Sequence, residues 1–131
     1  MIQGSSNSVR GQNSTVQGQS NLVIGDLVKL KGNENSVKGS GNQAEGNKNV
    51  IEGVVNQVQG SSNQISGNYN QAKGDSNKIQ GDLNAAEGSF NQIIGTQNQA
   101  QGTLNILYGS GNSATGQGNI LAGNQNSAAG L

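Results

Sequence analysis

GSGNQAEGNKNVIEG, residues 39–53, places one glycine, one asparagine and one apolar residue in every seven. Gly39, Gly46 and Gly53 are seven apart, Asn42 and Asn49 each follow a glycine by three, and Ala44 and Ile51 follow one by five. The pattern runs outward in both directions. Glycine stands at every seventh position from 4 to 130, which uses 19 of the 22 glycines. Each unit reads G-x-x-N-x-a-x, where a is apolar. The fourth slot is asparagine in 16 of 18 complete units, with Ser14 and Val28 as exceptions, and the sixth is always Val, Ile, Leu or Ala. Such regularity marks a repeat architecture, read as one domain spanning 1–131.

A period of seven suggests a coiled coil, but that needs two apolar seam positions per heptad, and this chain has one. A glycine in every heptad would also cost a helix about 1 kcal/mol per unit relative to alanine. Collagen is excluded because its glycines recur every third residue. The pattern fits an all-β solenoid. A short N-x-a strand turns alternate residues inward, and glycine takes the corner, where a positive φ is cheap for it alone. One seven-residue side cannot close on itself; two can, giving a flattened two-sided roll of 14 residues per coil.

Alternate units support that period. Their apolar slots read Val9, Val23, Val37, Ile51, Ile65, Ile79, Ile93, Leu107, Leu121 in one set, and mostly alanine from Ala72 onward in the other. Large side chains from one parallel, in-register sheet thus face smaller ones from the other. Stacking i over i+14 also sets Lys31 on Glu45, Lys38 on Glu52 and Lys73 on Glu87, which is favourable between adjacent strands. The inward asparagines, Asn42, Asn49, Asn56, Asn63, Asn70, Asn77, Asn84, Asn91 and Asn98 among them, are expected to form a ladder that bonds coil to coil and caps corner backbone. About nine coils at roughly 4.8 Å make a rod about 45 Å long.

Composition narrows the function. Only 30% of residues are hydrophobic and 2% aromatic, and seven basic residues balance seven acidic ones. A neutral chain carries no electrostatic footprint for nucleic acid or anionic membrane, and no apolar run approaches a membrane span. With no His or Cys, the usual general base, thiol nucleophile and commonest metal ligands are missing, so no enzyme, metal or cofactor is expected. The acidic residues read as solvated charges. Gly111 and Gly118 fall at corner slots without a Gly-Lys-Ser/Thr sequel, so they make no phosphate loop. Asn13-Ser14-Thr15 is a glycosylation sequon only if the protein is secreted. Met1-Ile2-Gln3 runs straight into the repeat, so no signal peptide is expected in this sequence.

The units GSSNSVRG, GNENSVKG and GNKNVIEG resemble the xxNxVxG repeat of ryegrass-type ice-recrystallisation-inhibition (antifreeze) proteins. The resemblance covers nearly the whole chain and implies a left-handed β-roll that binds ice through a flat face rich in Thr, Val and Ser. The head repeats of YadA-type trimeric adhesins are similar in period, though less closely. The outward slots depart from the antifreeze pattern: the chain has four threonines, and long charged side chains such as Lys29, Lys31, Lys38 and Glu52 interrupt both faces.

Two features instead point to self-association as the first expectation. The repeat begins at Ile2 and persists to Gly130, so Met1, Ile2, Gly130 and Leu131 are expected to meet end to end in a head-to-tail filament. A fragment of a longer solenoid is the alternative there. Phe90, Ile94, Leu104, Ile106, Tyr108 and Ile120 form an apolar cluster expected to make lateral contacts between copies. The sequence thus predicts an extracellular or cell-surface structural rod, with an ice-binding protein as the main alternative and an adhesin head as a further one.

Overall fold

The structure, a computed structural model, describes residues 1–130. Among them are nineteen short strands, from β1 (Ile2–Gln3) to β19 (Ser127–Ala129), and no helix. The odd-numbered strands form one ten-stranded sheet and the even-numbered strands one nine-stranded sheet. All pairings are parallel and in register at a spacing of 14. In β7 (Gln43–Glu45) Ala44 lies beside Val58, and in β8 (Val50–Glu52) Ile51 lies beside Ile65. The two-sided roll with 14-residue coils is therefore the fold of this chain. The strands start one residue later than N-x-a, so that the asparagine sits just before its strand.

Each half-coil sends two side chains inward, the asparagine and the apolar residue two positions on. The apolar residues from both sheets merge into one core cluster from Val16 to Leu121, with Val9 and Ala128 packed against it. The core is one side chain deep from each sheet. Burial of the isoleucines and leucines contributes about 1.5–3 kcal/mol each.

The backbone is paired along the roll axis at the corners as well as in the strands. Gly53 N–H donates to the Lys38 carbonyl, Val55 N–H to Ser40 and Gln57 N–H to Asn70, each at 2.9 Å. Corner backbone therefore meets its hydrogen-bond demand from the neighbouring coil.

The corner corrects the simple role expected for glycine. The left-handed position is the third slot of the heptad, and fifteen non-glycine residues occupy it at φ between 56° and 60°. Gly41, Gly111 and Gly118 are that slot's only glycines. Val55 holds this conformation despite its branched side chain, a strain of about 1–2 kcal/mol. The heptad glycine is required for a second reason besides its φ. A Cβ built on Gly53 would collide with the Gly67 carbonyl oxygen of the next coil, and the same clash recurs at every heptad glycine from Gly4 to Gly116.

Gly53→Ala should therefore prise adjacent coils apart and cost more than about 4 kcal/mol. Gly118→Ala, at φ +66° with nothing within 4 Å of the added carbon, should cost only about 1 kcal/mol. Chemical denaturation of the two variants checks this; equal losses would mean that φ alone selects glycine in the heptad.

Candidate functional site

The inward asparagines form a ladder along each corner. Asn63 Nδ2 donates to the Gly74 carbonyl at 2.8 Å and to Asn49 Oδ1 at 3.1 Å. Its own Oδ1 accepts the Asn77 backbone N–H at 2.9 Å and Asn77 Nδ2 at 3.2 Å. The amide thus joins three coils and satisfies the carbonyl of the very glycine that allows the coils to approach. Asn42, Asn49, Asn56, Asn70, Asn77, Asn84, Asn91 and Asn98 each donate to the matching glycine carbonyl 11 residues ahead. Ser14 imitates the pattern, with Oγ donating to Gly25 and accepting from the Val28 N–H. Val28, fully buried, interrupts it.

A second ladder lies outside the first. The residue after the heptad glycine often carries a side-chain oxygen that caps a backbone N–H 14 residues back. Asp26 Oδ1 accepts from Gln12 at 2.6 Å, Asp75 from Ser61 at 2.6 Å and Asp82 from Asn68 at 2.7 Å. Asn33 and Asn47 do the same for Gln19 and Asn33. The three aspartates are thus corner caps rather than free solvated charges. The signal was present as Asn, Asp or Ser recurring in the second slot. The four glutamates pair with lysines: Lys31–Glu45 and Lys38–Glu52 at 3.3 Å, Lys73–Glu87 at 3.5 Å and Lys48–Glu34 at 3.9 Å. All four pairs are well exposed, so each contributes about 0–1 kcal/mol.

The outward faces differ along the roll. Over residues 15–101, long Gln, Lys and Glu side chains wall shallow troughs whose floors are core residues such as Ala44 and Val58. All fourteen charged residues fall between Arg10 and Glu87; residues 88–131 carry none. In that charge-free part β14 (Gln92–Thr96), β16 (Ile106–Ser110) and β18 (Ile120–Asn124) run five residues and stay in register through their glycines. This adds a third outward column, Thr96, Ser110 and Asn124, which sequence reasoning missed because it lies beyond the glycine.

The apolar cluster sits on the same face. Ile106 lies beside Ile120 in one column, Ile94 beside Tyr108 in the next, and Phe90 and Leu104 on the corner leading in. Ile120 is 74% exposed and Phe90 and Leu104 about 60%. Ile94 and Ile106 are half-buried. Met1 and Ile2 lie at the opposite end of the roll from Gly130. The Met1 ammonium donates to the Ser14 carbonyl, and the Gly130 N–H to the Thr115 carbonyl. Leu131 lies outside the described residues. Among the described residues no three His, Cys, Asp or Glu side chains gather as a metal site, and no helix is long and apolar enough to cross a membrane.

Two parallel sheets, glycine corners and inward amide ladders define a β-roll. The family model of the grass antifreeze beta roll matches residues 1–88, two thirds of the chain, and the chain belongs to that family. No curated protein matches it.

Asn63→Ala removes two donors and leaves the Gly74 carbonyl and the Asn77 N–H buried without partners. At about 1–3 kcal/mol for each orphaned group, the loss should reach about 3–5 kcal/mol in urea unfolding. Lys38→Gln, breaking an exposed pair, should change stability by less than about 0.5 kcal/mol.

Proposed function

We propose that the chain binds ice and restrains the growth of ice crystals. The observation that carries this reading is its membership of the grass antifreeze beta-roll family. The physical support is a rigid roll whose outward side chains repeat with the coil spacing of about 4.8 Å. A solid surface is best met by a surface that is already ordered, because little side-chain and loop entropy is then lost on contact. A non-catalytic role and an extracellular setting go with this reading.

Ice contact thereby takes the first place that the sequence pattern assigned to a self-assembling rod. Head-to-tail stacking has no comparable support. Lateral self-association is the second reading, and the exposed apolar cluster around Tyr108 and Ile120 favours it.

In frozen sucrose held just below its melting point, the purified chain at micromolar concentration should keep ice grains small. Grains that coarsen as fast as with an equal mass of an unrelated neutral protein would reject the reading. Sedimentation of the same sample reports on the second one; a single monomeric species across the concentration range removes it.

A further inference from the structure

We propose that the ice-contact plane of this chain is the charge-free face of β14, β16 and β18, centred on Ile94, Thr96, Ile106, Ser110 and Ile120. The inference rests on the ice-binding reading and locates its site.

Charge separates the last coils, on both faces, from the rest of the roll. The isoleucines Ile94, Ile106 and Ile120 set this face apart from the opposite one, where β15 (Gln99–Thr103) and β17 (Ser113–Gln117) present glutamine, serine and threonine. A Lys, Arg or Glu head group holds its own hydration shell, and bringing it against a solid lattice costs desolvation that no partner returns. Those residues stop at Glu87. The even-numbered strands before β14 carry Arg10, Lys38, Glu52 and Lys78 in their outward columns, and Asp82 in the column that continues to Thr96.

Order within the third outward column is a second feature. The opposite sheet is also paired through Gly102 and Gly116, but among the described residues its third-column Thr103 and Gln117 do not bond to each other through their side chains. The third outward column exists here because Gly95, Gly109 and Gly123 are paired in the ladder. Its hydroxyls are fixed to one another: Thr96 Oγ1 and Ser110 Oγ are 3.1 Å apart, and Asn124 Oδ1 accepts the Ser110 N–H at 3.1 Å. Gln92 Nε2 donates to Tyr108 Oη at 3.4 Å and ties the ring across the sheet. Isoleucine is stiff about χ1. The plane thus sets methyl groups that release water beside hydroxyl and amide groups that hydrogen-bond to it, with few rotamers left to freeze.

Area weighs against a protein partner as the occupant. Three rows at about 4.8 Å and three columns at about 6.7 Å cover roughly 300 Å². A stable protein interface takes about 800 Å² per partner.

The test places single lysines on the full-length chain. Thr96→Lys and Ile120→Lys lie on the proposed plane, and both positions are exposed. Gln57→Lys and Gln64→Lys are outward controls on the two sheets of the earlier coils. Thermal unfolding verifies that all four fold. We expect the two plane variants to need about ten-fold more protein to hold ice grains small, the order of penalty for an uncompensated charge at a contact. The controls should stay within about two-fold, which is ordinary for a surface change. Lost activity in the controls with the plane variants intact would overturn the location while leaving ice binding in place. An inactive wild-type chain would overturn ice binding itself and this site with it. A wild-type dimer that Ile120→Lys dissociates without loss of ice activity would assign the face to self-association instead.

Discussion

One inward amide per half-coil ties the roll together. The asparagine side chain reaches the carbonyl of a glycine 11 residues ahead and the asparagines 14 residues before and after it. It does so in a core too thin to hold coils by apolar burial alone, since one sheet contributes mainly alanine from Ala72 onward. The amide is buried, so an unmatched donor or acceptor would be expensive. No buried side-chain nitrogen or oxygen among the described residues lacks a partner. Polar satisfaction, rather than apolar volume, sets the period and forbids register slip.

The same stacking explains the corner. Glycine lets one coil's backbone approach the next closely enough for the ladder to close, and the third-slot residue absorbs the reversal in a left-handed conformation. Strain of about 1–2 kcal/mol at Val55 and Leu27 is tolerated because the corner N–H groups of both residues are bonded to the neighbouring coil. The outer Asp and Asn caps serve the same corner from the solvent side. Corner chemistry thus engages three of the seven acidic residues and lysine pairing the other four.

With stability held inside and at the corners, the sheet faces are free to vary. From Arg10 to Glu87 they carry mixed charge and amides; beyond it they carry isoleucine, alanine, serine, threonine and glutamine. The heptad is unbroken across that boundary, so the change is one of surface and not of fold. A solenoid permits this because each coil contacts only its neighbours, and a face can be altered locally without disturbing the stack.

The sequence by itself determined the period, the pairing of heptads into 14-residue coils and the inward residues. Each of these is a relation inside one unit or between like units, and Gly53, Asn56 and Val58 display it directly. The pairing of Lys31 with Glu45 was readable for the same reason. The tertiary structure alone decided why Gly53 cannot bear a side chain, which carbonyl Asn63 holds, that Asp26, Asp75 and Asp82 cap backbone, and that Thr96 and Ser110 join the sheet face. Those depend on how closely wound coils approach one another along the axis. That distance arises only when the chain is stacked, and no spacing within a heptad encodes it.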